Sequence, residues 1–398
     1  MLDAAALAGG YPYSCDIHPA RSAASPRQEA YLRAAGYDGP VLVFDLHLMR
    51  GKYRALAAGL GDAAIHYAVK ANPAPEVIGA LAALGSRFDA ASRGEIALCL
   101  GLGVPPEHIA FGNTIKRAED VAWAYAKGVR QFAADAEAEL RKIAAHAPGA
   151  RVVIRMLVDA SEADWPLCRK FGTAPREALR LMDLARFLGL DVAGISFHAG
   201  SQLREPRMWG LALDAALALW TQAHARGHAL RLLNIGGGFP AFYGQEMPAT
   251  QDYAREVMGM VRARFGDEVA VMAEPGRGLV AEAGMILAEV LLVARKDQGD
   301  LVRWVYLDIG KFSGLAETME AAIRYQFETA HDGETGPCIL AGPSCDSADV
   351  LYEKRPVQLP LALRDGDRIR ILSAGAYTSS YSSVGFNGFP PLRAVYLG

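Results

Sequence analysis

From about residue 40 onward the chain alternates short apolar runs with amphipathic stretches rich in Ala, Leu and Glu, and this alternation restricts the fold more than any other feature. Strands separated by helices cannot pair as hairpins; they call for parallel pairing through right-handed crossovers. PVLVFDL reads as a strand and LMRGKYRALAAGLG as a helix. IHYAVKA, RFDAAS, HIAFGN, QFAADA, VVIRML, GISFHAG, LRLLNIGGG and VAVMAEPG follow as strands, with helical segments between most of them. These eight are the number that closes a (β/α)8, TIM-type barrel, expected over residues 41–280. Beyond residue 280 the texture changes. GMILAEVLLVARK, VRWVYLDIG, CILAGPSC, RPVQLPL and DRIRILSAGAYT read as strands with few helices between them. A second, β domain (sandwich or barrel) is expected over 281–398, with residues 1–40 joining it. A chain of 398 residues exceeds what one compact core usually holds, which agrees with two units.

Composition excludes several classes of function. The formal net charge is −3, so no basic excess points to nucleic acid or an anionic membrane surface. The first residues lack the basic and apolar regions of a secretory signal. No apolar run reaches the roughly 20 residues needed to span a bilayer. Cys15, Cys99, Cys168, Cys338 and Cys345 are scattered without CxxC spacing. That argues against a disulfide framework and against a metal site, and for a reducing cytoplasm.

In a (β/α)8 barrel, chemistry sits at the C-terminal ends of the strands, and the unusual polar residues of this sequence fall there. Lys70 ends the first of the eight runs, inside HYAVKANP. Asp89 lies in the second and Arg155 in the fifth. His198 ends SFHAGS, Gly236, Gly237 and Gly238 follow LLNI, and Glu274 and Arg277 lie in EPGRG. Each has a bland reading: a strand-end lysine reaching for water, a tight glycine turn, a hydrogen-bonded histidine, a surface ion pair. Together they describe something narrower. A glycine cradle, a rim lysine, an acid and an aromatic cation are what pyridoxal 5'-phosphate (PLP) requires. The lysine amine forms an imine with the cofactor aldehyde, glycines and Arg277 hold the phosphate, the acid protonates the ring nitrogen, and the imidazole stacks on the ring.

At this point the sequence resembles the fold-type III, alanine racemase-like PLP decarboxylases, specifically the bacterial ornithine/lysine decarboxylase group. The resemblance runs from about residue 40 to the C-terminus. It rests on YAVKANP, FDAASRGE, FGNTIK, DWPLCRKFG, GISFHAGSQ, NIGGGFP, AEPGRGLV, YLDIGKFSGLAETMEAAI, GPSCDSADVLYE and GAYTSSYSSVGFNGF, in this order. It implies Lys70 as the lysine joined to the cofactor, its amine poised as a nucleophile in a dry site. It implies phosphate contacts from Ser201, Gly237, Gly238, Gly276, Arg277 and Tyr377, and a pairing of Glu274 with the pyridine nitrogen. Racemases of this fold set an arginine there, so Glu274 argues against racemisation. Asp89 and Arg155 resemble residues that orient Lys70 and the ring. In the family the GPSCDSAD segment reaches the partner subunit's site. Cys345 would then manage the proton returned to Cα, Asp346 would bind the distal amine of a basic amino acid, and a homodimer would be needed. Phe312, Glu320 and Tyr377 complete the implied substrate contacts.

The reaction implied first is conversion of L-ornithine to putrescine and CO2, a step of polyamine biosynthesis. Relatives commonly carry Asp-Glu where this chain has Glu320 and Ala321. That departure leaves lysine, arginine or a shorter diamino acid open as substrate. Diaminopimelate decarboxylases generally show CESGD where this chain has CDSAD. Inactive regulatory homologues lose cofactor or catalytic residues that are present here, and small PLP carriers lack the β domain.

Overall fold

The computed structural model describes residues 24–159 and 170–398. Eight parallel strands close a barrel in sequence order: β2 (Ala64–Ala68), β3 (Arg87–Ala90), β4 (Ile109–Phe111), β5 (Gln131–Ala134), β6 (Arg151–Arg155), β7 (Asp191–Ser196), β8 (Leu232–Asn234) and β9 (Ala270–Ala273), with β9 pairing back to β2. These are the eight runs read from the sequence. Their centres are largely apolar because both faces are covered; Val152, Val153 and Ile154, three consecutive residues of β6, are all buried.

The first strand, β1 (Val41–Asp45), corrects the expectation that residues 41–280 belong to the barrel. It pairs antiparallel with β10 (Gly284–Ala294) and parallel with β17 (Arg393–Leu397). It is therefore part of a second, nine-stranded sheet that also holds β11 (Arg303–Leu307), β12 (Gln326–Thr329), β13 (Thr335–Ala341), β14 (Val350–Leu351), β15 (Val357–Pro360) and β16 (Arg368–Leu372). The helix α1 (Pro26–Ala34) lies against this sheet. Its Gln28 side chain donates to Val43 O and Ala283 O at 2.9 and 3.1 Å, and Glu29 pairs with Arg370.

Asp45 turns the chain from β1 into the barrel layer. Its carboxylate accepts from His47 N at 2.8 Å, capping α2 (Leu46–Leu60), and from Ser25 Oγ at 2.6 Å. The helix buries Leu46, Met49, Tyr53, Leu56 and Leu60, a helical spacing that makes one apolar stripe. It crosses the helix Thr250–Phe265 closely. A Cβ at Gly59 would lie 2.3 Å from Gln251 O, so only glycine permits this approach.

His66, in β2, is 5% exposed. Burial pushes its pKa down to about 3, against a backbone hydrogen bond to Ala64 that raises it. Its folded value is depressed, so below pH 6.5 the unfolded chain binds the proton and the native one does not. Stability contributed by neutral His66 is complete above pH 6.5 and falls as pH drops toward 3. The loss at pH 4 is on the order of 3 kcal/mol. Urea unfolding across pH 7 to 4 should show a slope for the wild type that His66→Asn flattens. Equal slopes in the two proteins would remove His66 as the cause.

Candidate active site

The strand ends converge on one cavity, lined by Ala68, Lys70, Asp89, His198, Ser201, Gln202, Gly237, Gly238, Phe239, Glu274, Gly276, Arg277 and Tyr377. Lys70 stands in a single 3₁₀ turn (Val69–Ala71) directly after β2. Both domains pin this turn. Ala68 N donates to Pro275 O at 3.1 Å from the barrel. Ser380 Oγ donates to Lys70 O at 2.9 Å and Tyr377 N to Ala71 O at 2.8 Å from the segment after β16. Tyr377 itself is held at φ +55°, a conformation that costs energy for a residue with a side chain.

The Lys70 side chain is exposed to the cavity, while protein surrounds it on most sides. Burial lowers its pKa, but Tyr377, Asp89 and Glu274 outweigh burial and the Arg155 charge, and the net shift is upward. Asp89 moves the other way from an ordinary carboxylate. Burial and Glu274 raise its pKa well above the usual range, against the pull of Lys70. Its Oδ1 is buried with no hydrogen-bond partner. A Cβ on Gly112 would sit 1.8 Å from that oxygen, so Gly112 makes the room Asp89 occupies.

Glu274 follows β9 and is oriented by Asn234 at the end of β8, whose Nδ2 donates to Glu274 Oε1 at 2.6 Å. The Asn234 Oδ1 accepts from Gly236 N at 2.9 Å, which starts the glycine turn. Gly236 and Gly238 take φ of +72° and +109°, and a Cβ on Gly236 would lie 2.2 Å from Phe197 O. His198 Nδ1 accepts from Gly200 N at 3.2 Å. Burial, with Arg155 and Lys70 adding to it, pushes the His198 pKa down to about 3. The aromatic cation expected from the sequence is thus a neutral imidazole. Arg155 does not line the cavity; it lies over the Phe171 ring at 5.1 Å, and its charge acts on Lys70, Asp89 and His198.

Arg277 has a partner the sequence reading missed. Its Nη1 and Nη2 donate to the two carboxylate oxygens of Glu317, each at 2.6 Å, and both side chains are almost fully buried. Tyr243 Oη accepts a further bond from Nη1 at 3.1 Å. Asn234, Gln202, Gly112 and Glu317 all lie within or beside motifs quoted above, yet residue type alone gave them no role.

Besides Arg155, four expected residues lie away from this cavity. Phe312 packs on Phe386 at 4.8 Å between ring centres. Cys345 is exposed, with its backbone N donating to Asn387 Oδ1 at 3.1 Å, and Asp346 is exposed, its Oδ1 accepting from Ala348 N. Glu320 is exposed at φ +54°, beside Ala321 at +56°. None of the four lines the cavity of its own chain. Residues 164–169 of DWPLCRKFG lie outside the described residues, as do residues 1–23 of the N-terminal segment. Among the described residues no helix is long and apolar enough to cross a membrane.

Residues 46–281 match the family described as pyridoxal-dependent decarboxylase, pyridoxal binding domain. A lysine/ornithine decarboxylase of Selenomonas ruminantium is 35% identical over 350 residues, covering 88% of this chain and 87% of the relative. The lysine/ornithine decarboxylase of Vibrio vulnificus, solved with cadaverine, superposes with a TM-score of 0.83 at 32% identity, covering 94% of this chain and 100% of that one. The arginine decarboxylase of Paramecium bursaria Chlorella virus, solved with agmatine, gives a TM-score of 0.83 at 26% identity, over 93% and 100% of the two chains.

Proposed function

Since this chain belongs to the fold-type III, PLP-dependent decarboxylases of basic amino acids, we propose that its preferred reaction is L-ornithine to putrescine and CO2, carried out by a homodimer with shared active sites. PLP dependence and decarboxylation of a basic amino acid come with the family. The individual roles and the choice of ornithine are our reading.

The observation that carries the site reading is the cavity itself: an amine, a carboxylate and a glycine-and-arginine cradle on one barrel rim. Three features fit PLP. The buried Asp89 Oδ1 lacks a partner. The cradle at Gly237, Gly238 and Gly276 has no room for side chains; a Cβ on Gly276 would lie 3.2 Å from the Tyr377 hydroxyl. The donor set suits a phosphate, a pyridine nitrogen and an aldehyde at once. Bound PLP supplies an electrophilic carbon and a cationic ring that accepts the electron pair released when the substrate carboxylate departs.

In this reading Lys70 supplies the amine that holds the cofactor covalently. Ser201, Arg277, Tyr377 and the cradle amides bind phosphate. Glu274, fixed by Asn234, keeps a proton on the ring nitrogen. Neutral His198 packs on the ring without adding charge that would oppose it. Asp89 and Arg155 orient Lys70. Cys345 of the second subunit donates the proton to Cα, and Asp346 binds the distal ammonium, with Phe312 and Glu320 closing the substrate end. Free thiols at Cys99, Cys338 and Cys345 fit a reducing cytoplasm.

Ornithine is favoured over lysine by the reach of Glu320. A Glu extends about one methylene further than an Asp and suits a substrate one methylene shorter. Such a difference in fit is worth about 1–3 kcal/mol. CO2 release from ornithine, lysine, arginine and diaminopimelate should rank ornithine first by kcat/KM. Glu320→Asp should move preference toward lysine by about tenfold. A higher kcat/KM for lysine or arginine in the wild type overturns the substrate, and an unchanged ranking in the variant removes Glu320 from substrate selection.

A further inference from the structure

We infer that Glu317 is a positioning residue for the cofactor phosphate, acting by presenting one edge of Arg277 to it. The inference rests on the PLP reading above. A guanidinium has five N–H donors in a rigid plane. Glu317 takes one from Nη1 and one from Nη2, and Tyr243 Oη takes the second from Nη1. Three of the five are thereby committed. What remains is the Nε–H and one Nη2–H. Those two are parallel, which is the arrangement that binds two oxygens of one phosphate.

The rest of the surroundings hold this orientation. The Arg277 guanidinium carbon lies 5.0 Å from the Tyr377 ring centre, and both Arg277 and Glu317 are nearly removed from solvent. Glu317 comes from the 3₁₀ segment Ala316–Ala321, in the β domain, whereas Arg277 begins the short helix after β9 of the barrel. The pair therefore ties the segment that carries Glu320 to the phosphate anchor.

Two effects of opposite sign separate here. Removing the Glu317 charge takes an anion away from the phosphate, which by charge alone tightens binding. It also frees Arg277 to turn, which loses the parallel pair of donors. We assign the larger effect to orientation, because a bidentate charge-assisted contact is both stronger and more directional than a single one.

The test is cofactor binding, read by absorbance titration of the full-length apoprotein with PLP and, separately, with pyridoxal, which lacks the phosphate. Glu317→Gln should weaken PLP binding about 10- to 100-fold and leave pyridoxal binding unchanged. In an Arg277→Ala background the same substitution should cause no further weakening, because only the favourable loss of the Glu317 charge remains. Tyr243→Phe, which keeps the ion pair and removes only the hydroxyl, should shift PLP binding in the same direction by less, and keeps the question open to measurement if Glu317→Gln folds poorly. PLP binding in Glu317→Gln as tight as or tighter than in the wild type overturns the inference. So does an equal loss for pyridoxal, or an undiminished effect without Arg277. If the wild type binds no PLP, the functional reading itself fails, and this result is distinct from the others.

Discussion

Lys70→Ala should reduce decarboxylation by on the order of 10⁴-fold or more, and the protein should still fold. Among the residues lining the cavity, Lys70 carries the sole amine. No neighbour offers a second nitrogen from which the cofactor could be held covalently. The chain around it is fixed by main-chain contacts that alanine keeps, including the carbonyl at position 70 that accepts from Ser380. Losing the cation leaves Asp89 and Glu274 facing each other. Asp89 already has a raised pKa, and without Lys70 it rises further, so that one proton relieves the repulsion. Wild type treated with PLP and borohydride should gain the cofactor mass on the peptide carrying Lys70, and the variant should not. Normal turnover by the variant would remove Lys70 from the chemistry altogether.

The parts of this fold that were legible in the sequence are those set by local pattern. The barrel strands are covered on both faces, so most show as short, largely apolar runs, as Val152–Ile154 do. The strand ends stood out because Lys70, His198 and Glu274 interrupt such runs. What escaped depends on contacts between distant segments. β1 fell inside the expected barrel bounds because a helix follows it, although it was not one of the eight runs; its partners β10 and β17 come from the far end of the chain. Glu317 sits 40 residues from Arg277, in the other domain, and no periodicity connects them. Charge states were also beyond reach. Neutral His198 and protonated Lys70 reflect the sum of burial and of charges from other strands, Arg155 and Asp89 among them. A residue's type places it in a motif; its protonation is decided by neighbours the motif does not contain.

Two inactive chains should make an active enzyme. Cys345→Ala alone should lose most of its activity, because no thiol among the described residues lines the cavity and Cys345 of the same chain stays exposed outside it. Lys70→Ala is inactive for the separate reason given above. When the two variants are unfolded together and refolded as an equal mixture, half the dimers pair one chain of each kind if assembly is random. In such a mixed dimer one site receives both defects. The other combines Lys70 from the Cys345→Ala chain with Cys345 from the Lys70→Ala chain and is intact. Activity should therefore return to about a quarter of the wild-type value. The arithmetic is informative because other arrangements give different numbers. If each chain completes its own site, no combination restores anything and the mixture stays inactive. If Cys345 plays no part in the reaction, the Cys345→Ala chain is active before mixing and the mixture shows about half the wild-type rate. Recovery near a quarter, absent when the two proteins are mixed without exchange of subunits, requires that the exposed Cys345 segment of one chain act on the barrel mouth of another.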